Sequence, residues 1–443
     1  MHEHLCEAMH NMSIDEKTKT NIVLTRLLYV KDEVAYMCFV SLLKNDIYQS
    51  IFWFHELFVS GYKKESFQLL YRIYLLCYCY KNPKINKYIF KQYSLWLENE
   101  SDSFNFLVTL LVNLCKCKFS CEVYLMYNWI NNVQNIKCKT FKGRRPNFLN
   151  AFDPIYHTIL MCLYKNDYLN FCLVLKEYKE HNLINENLFH CLIKYFTDVE
   201  NIKDIKHDKL QEYFNSFQTN ELDNDLVKYI LNIVLLCKAS EDDVHLKNIF
   251  ITIPIDIREY INSLNNYDNI PVYQFLQYKR LYGIDPIIEC FPLNRFQENH
   301  TSETLRDIST YTWIYHCAKC PFWYNILIKF PYKWRFCDKT YAIIFHNDDT
   351  EPDTEPDTEP ETESGSELDM EIDAYFNQMY CLEFDEQPIE TQLKSTINLY
   401  QRNTNNDFVQ FMMNNQTSPC IIKNLQSFYD SNNKYLKLLT DII

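Results

Sequence analysis

Glycine is nearly missing from this chain, with 4 residues in 443. Gly supplies positive φ and lets backbone approach a phosphate closely. Gly61, Gly143, Gly283 and Gly365 stand too far apart to write a G-x-G-x-x-G turn or a G-x-x-x-x-G-K-[ST] loop. Nucleotide-cradling folds of those two kinds are therefore excluded. Long apolar runs are missing as well. The longest, "LLYRIYLLCYCY" and "FNFLVTLLVNLC", fall short of the ~20 residues that span a bilayer, and the first carries Arg72. The opening "MHEHLCEAMHNMSIDEKTKTN" has neither the basic start nor the apolar run of a secretory leader. The 18 Cys follow no small-scaffold spacing, so reduced, mostly buried thiols in a reducing compartment are expected. H-E-x-x-H is absent, because His55-Glu56 is followed by Val59 where the second His would stand. No Ser/His/Asp arrangement, nucleophile elbow or paired-carboxylate motif stands out. A non-enzymatic protein is expected, and no cofactor is called for.

What is present is apolar mass: 47% hydrophobic and 16% aromatic residues are enough to bury a large core, which excludes global disorder. The net charge of −14 comes from one place. Asp348 to Asp373 holds 13 acidic side chains and no Lys or Arg, leaving the remainder near neutrality. A neutral body leaves nucleic acid open as a partner.

Helix signals dominate. "KNDIYQSIFWFHELFVSGY" has Asp46 as N-cap and Gly61 just past the end. "KKESFQLLYRIYLLCYCYKNP" follows and should stop before Pro83. "AFDPIYHTILMCLYKN" begins with Asp153-Pro154, a favoured cap and first-turn pair. "DNDLVKYILNIVLLCK" and "SETLRDISTYTWIYHCAKC" read as helices too, whereas "KNIFITIPI" (247–255) and "DKTYAIIFH" (338–346) read as strands. Residues 42–74 lie over 163–195 without gaps, matching Asp46 to Asp167 and Glu56 to Glu177, as stacked hairpins would. The expectation is a mainly α fold of stacked helical hairpins, α-solenoid-like or an irregular helical bundle, with at most a few short strands. Five regions follow: a flexible N-terminus (1–14), an N-terminal helical domain (15–240), a mixed, mostly helical region (241–346), a disordered acidic tract (347–373), and C-terminal helices packing back on the body (374–443). In the tract T-E-P-D recurs every four residues, and its Pro prevents a continuous helix. Thr350, Thr354, Thr358, Ser364 and Ser366 each have a carboxylate three residues on, so the tract reads as a phosphorylation segment or as a plain solvated loop.

Three clusters carry candidate chemistry. Cys317-Ala-Lys-Cys320 with Cys337 and His346 gives C-x2-C-x16-C-x8-H, whose second half lacks zinc-finger spacing. These four are the weak metal candidates; the competing reading is two small residues packed late in a helix that Pro321 ends or restarts. "LCKCKFSC" places Cys117 and Cys121 on one face if it is helical, with no second cluster to complete a site. "KCKTFKGRRPNF" is the one basic cluster, with Lys137, Lys139, Lys142, Arg144 and Arg145 around Phe141 and Phe148. Such a loop can hold phosphates without reading sequence.

Three pieces of the chain, "SIFWFHELFVSGY" with "ESFQLLYRIY" and Asn82-Pro83, "CPFWYNILIKF", and "FDEQPIETQLKS", together resemble a family of uncharacterised, mostly helical proteins of nucleocytoplasmic large DNA viruses, the giant viruses. The first is similar to its [LI]-F-W-x-x-E-L-[YF]-x-S-G-[YF] signature, the second to its small-Pro-x-Trp segment, the third to its D-E-Q-P box. The preceding "LLYVKDEVAYMCFVSLL" is similar too, so the likeness spreads over most of residues 25–395. Position 55 tends to be Tyr in that pattern and is His here; the small residue before the Pro tends to be Ser and is Cys320 here. Both changes suit packing better than metal chemistry. The resemblance implies a fold signature of Trp53, Glu56, Gly61, Pro321 and Trp323, and brings no activity with it. A composition rich in Asn, Ile, Lys, Tyr and Phe, as AT-rich codons produce, suits such an origin. The leading expectation is a scaffold or interaction protein in the host cytoplasm (the virus factory) or the virion, with other viral or host proteins as partners. The second is a nucleic-acid or replication accessory protein using 137–148, and the third a zinc-dependent protein using Cys317, Cys320 and Cys337.

Overall fold

In the computed structural model of the chain, the described residues are 23–98, 103–132, 138, 141, 145–201, 221–240, 244, 252–265, 282–285, 287, 313–328, 333–337, 342–346, 406–418 and 420–423. The molecule is mainly α. An entry loop, residues 23–30, leads into α1 (Lys31–Leu43), α2 (Ile47–Val59) and α3 (Lys63–Ile73). A π-helical turn, Tyr74–Tyr78, continues α3, and α4 (Ile85–Glu98), α5 (Asn105–Leu114) and α6 (Glu122–Asn132) follow. Two 3-10 turns precede α7 (His157–Tyr164), α8 (Tyr168–Glu180) and α9 (Glu186–Asp198). Then come α10 (Leu226–Lys238), α11 (Ile255–Asn265), α12 (Trp313–Ala318) and α13 (Pro321–Leu327). One antiparallel hairpin, β1 (Lys333–Cys337) and β2 (Ala342–His346), and a last helix, α14 (Asn406–Asn415), complete it. None of the helices among the described residues is long and apolar enough to cross a membrane.

Local chemistry explains the helix starts. Asp46, Asp167 and Asp225 each cap the helix that follows, accepting from the backbone N–H of Gln49, Asn170 and Val227. Ahead of the first two, Asn45 (φ 56) and Asn166 (φ 53) take the left-handed turn. Asp153 caps a 3-10 turn, and the α-helix begins only at His157.

The core surrounds the π turn, on which α6 and α10 both pack. In place of the α-helical bond, Cys79 N–H reaches the Tyr74 carbonyl at 2.9 Å. Asn232 of α10 resolves the mismatch: its Oδ1 accepts from Tyr80 N–H at 3.0 Å, and its Nδ2 donates to the carbonyls of Leu75 and Lys228 at 2.8 Å each. Tyr71 and Tyr229 bridge the same helices through their hydroxyls, 2.6 Å apart.

Several expectations need correction. The helix expected to run unbroken to Asn82 turns π at Tyr74. Of the strand expected over 247–255, the described residues 252–254 are irregular and Ile255 opens a helix. β1 was not foreseen; its partner falls inside the expected 338–346 strand. Cys115, Cys117 and Cys121 do not share a helix, because α5 ends at Leu114 and α6 starts at Glu122. The N-terminus 1–14, the acidic tract 347–373 and the D-E-Q-P box lie outside the described residues.

Candidate functional site

The five signature residues meet at one junction among the entry loop, α2 and α13. Trp53 is fully buried, with its ring edge-on to Tyr29 of the loop at 5.0 Å. One turn on, Glu56 is also fully buried. Its Oε1 accepts from Leu27 N–H at 2.7 Å, and its Oε2 receives the Arg26 guanidinium at 3.1 Å. Ser60 Oγ accepts from Arg26 N–H at 2.9 Å. α2 thereby supplies the acceptors that the irregular backbone of the entry loop needs once it is buried.

The other side of the junction is α13. Gly61 ends α2 with φ +98, and a Cβ there would stand 2.5 Å from Pro321 Cβ. Only a residue without a side chain lets Pro321 seat against this turn. The Ser60 carbonyl accepts twice, from Phe322 N–H at 3.2 Å and from the Cys320 thiol at 3.1 Å. Trp323, fully buried, donates its indole N–H to the Thr25 carbonyl at 3.1 Å. Leu24 N–H donates to the His316 carbonyl, tying the loop to α12 as well.

These contacts settle where the thiols of C-x-x-C stand. Cys317 lies in α12 and Cys320 occupies the N-cap position of α13, with Pro321 as the first helical residue; Cys320 is therefore outside a helix. Both are buried. Loss of solvent pushes the Cys320 thiol up to about 12, partly offset by the Phe322 and Trp323 backbone, so it remains a protonated donor to Ser60. In the hairpin register Cys337 pairs with Ala342 and His346 with Lys333. That sets Cys337 and His346 at opposite ends of the hairpin, about 13 Å apart at roughly 3.4 Å per residue. Ligands of one zinc ion lie within about 2.3 Å of it, and these backbone positions hold Cys337 and His346 too far apart to share one. Among the described residues no group of three His, Cys, Asp or Glu side chains could hold a metal ion. His55 is buried against the Phe104 ring, edge-on at 5.1 Å.

Of the basic loop, Cys138, Phe141 and Arg145 to Phe148 are described; Lys137, Lys139, Lys142 and Arg144 lie outside the described residues. Arg145 is exposed. Phe141 lies beneath Lys165 Nζ at 4.5 Å, and Phe148 packs on Tyr164 and Tyr195 at 5.3 and 5.6 Å. Both are partly buried and pack against the core.

Set against protein-family models, curated proteins and solved structures, the chain matches none.

A second long-range junction has no local sequence signal. The segment after α14 lies on the loop entering α6. Thr417 Oγ1 accepts from Phe119 N–H at 2.7 Å, and Ser418 Oγ donates to the Phe119 carbonyl at 2.6 Å. Glu122, fully buried, accepts from Ile422 N–H at 2.6 Å, from Ser120 Oγ at 3.0 Å and from the Tyr80 hydroxyl. Cys420, not singled out from the sequence, is linked here to Cys121 through Gln416.

Proposed function

We propose that the chain is a non-enzymatic helical scaffold or interaction protein of a large DNA virus, acting through its surface in the host cytoplasm or the virion. What supports this reading is the use made of Glu56, the acidic residue of the signature. An acid meant for catalysis needs an open face toward substrate and a proton to move. Glu56 is sealed from solvent, with one oxygen on Leu27 N–H and the other on Arg26. The residues around it likewise close on one another: Gly61 against Pro321, the Cys320 thiol on Ser60, the Trp323 indole on Thr25. A signature spent on joining distant segments serves a rigid shape, and a rigid shape is what an interaction surface requires.

The test is chemical cross-linking of a tagged chain in the cytoplasm of virus-infected cells, followed by mass spectrometry. The expected result is attachment to virion or assembly proteins through surface lysines. DNA binding that falls steeply with salt, and is lost when Lys142, Arg144 and Arg145 become Glu, would replace this reading with the nucleic-acid one. Stoichiometric zinc in the purified protein would replace it with the zinc-dependent one.

A further inference from the structure

We propose that Cys121 and Cys420 are a peroxide-responsive thiol pair, in which Cys420 is oxidised first and Cys121 then closes a disulfide that fastens the segment after α14 to the start of α6.

The geometry comes first. One side chain touches both sulfurs: Gln416 Oε1 lies 2.7 Å from Cys121 Sγ, and Gln416 Nε2 donates to Cys420 Sγ at 2.5 Å. A single carboxamide thus spans the two thiols. The approach is held from both flanks. Thr417 and Ser418 bind the backbone of Phe119 before the pair, and Ile422 N–H binds Glu122 after it.

The two thiols differ in the way a reactive and a resolving cysteine must. Cys420 is half-buried and can meet a small oxidant, whereas Cys121 is sealed. The neighbouring Cys121, with smaller help from Gln416 and Lys81, lowers the Cys420 thiol from its ordinary value against the opposing effects of burial and Glu122. Cys121 is pushed up, first by the neighbouring Cys420 and then by burial. Among the described cysteines whose acidity is shifted, Cys420 alone goes down; Cys38, Cys77, Cys115, Cys117, Cys138, Cys162, Cys172, Cys191 and Cys320 all go up.

The chemistry balances with a hydroperoxide as oxidant. The Cys420 thiolate attacks one peroxide oxygen, an S–O bond forms, the O–O bond breaks, and the other oxygen leaves as an alcohol or water after taking a proton. The Cys121 sulfur then attacks the Cys420 sulfur, an S–S bond forms, the S–O bond breaks, and hydroxide departs with the thiol proton as water. Two electrons pass from the thiols to the peroxide.

Trypsin isolates each cysteine in a peptide with no other, 119–137 and 403–423. The full reduced chain is treated with hydrogen peroxide, alkylated, digested without reductant and analysed by mass spectrometry. The expected product is peptide 119–137 joined to 403–423. Dimedone should label Cys420 in the C121S variant, and Cys420 should react on the order of tenfold or more faster than the sealed thiols. In C420S the cross-link should vanish while the melting profile of the reduced protein persists. Two outcomes overturn the proposal: peroxide-treated parent chain without the cross-link, or other cysteines oxidised as fast as Cys420. Both are read on the parent chain, so a variant that fails to fold does not shield the proposal.

Discussion

Replacing Gly61 with Ala tests the junction most directly. Two costs can be worked from the structure. The first is conformational: at φ +98 an L side chain is strained, which costs about 1–2 kcal/mol. The second is steric. The new methyl would lie 2.5 Å from Pro321 Cβ and 3.1 Å from Pro321 Cγ, well inside contact distance. The ring cannot flex away, and the Cys320 and Phe322 bonds to the Ser60 carbonyl hold the start of α13 in place. Overpacking of this kind costs about 1–3 kcal/mol. G61A should therefore destabilise the chain by about 2–5 kcal/mol. Urea unfolding followed by tryptophan fluorescence suits the measurement, because Trp53 and Trp323 are both buried at the junction. Repeating it in a Pro321→Gly background separates the costs: the steric share should disappear and about 1–2 kcal/mol of strain should remain. A G61A chain unfolding within about 0.5 kcal/mol of its parent would refute the reasoning.

Glu56→Ala strands the buried Arg26 guanidinium and the Leu27 N–H, and should cost about 3–5 kcal/mol in thermal or urea denaturation; a loss under about 1 kcal/mol would mean the loop finds other acceptors. Asn232→Leu removes the acceptor for Tyr80 N–H and donors for two carbonyls, for about 2–4 kcal/mol, and amide exchange at Tyr80 should accelerate. Alkaline pH should unfold the protein. The Cys115 and Cys320 thiols are raised from 9.0 to about 12, chiefly by burial, so they favour the folded state below about pH 9, and this advantage is lost as pH rises toward 12. A stability profile flat from pH 8 to 11 would contradict that burial. Treatment with EDTA should leave the melting temperature unchanged; a marked drop would reveal a structural metal.

Legibility in the sequence followed the range of each interaction. The caps at Asp46 and Asp153 were readable because an aspartate bonds to N–H groups two or three residues away, although Asp153 caps a 3-10 turn; those at Asp167 and Asp225 were not named. Gly61 was readable as a helix stop, although its steric reason lies at Pro321, far along the chain. The π turn was not, since "YLLCY" has helical character throughout and the extra residue is accommodated by Asn232, 157 positions from Leu75. β1 escaped because "KWRFC" is short and its pairing with β2 sets the assignment. At the junction, Trp53 and Glu56 could be named but not Arg26, Thr25 or Ser60, whose roles exist only once the entry loop is laid against α2 and α13. Cys420 offered no cue at all: Cys121 is its neighbour solely through the return of α14 to the body.

The bond from Cys320 to Ser60 spans 260 residues, and that separation has a temporal meaning during synthesis. At about 5–20 residues per second, a ribosome needs roughly 13–50 s to travel from one end of it to the other. Throughout that interval α2 has emerged, yet its Gly61 turn still awaits the proline that will cover it. Until then the surface that Pro321 and Cys320 cover at the end of α2 has nothing of α13 to meet.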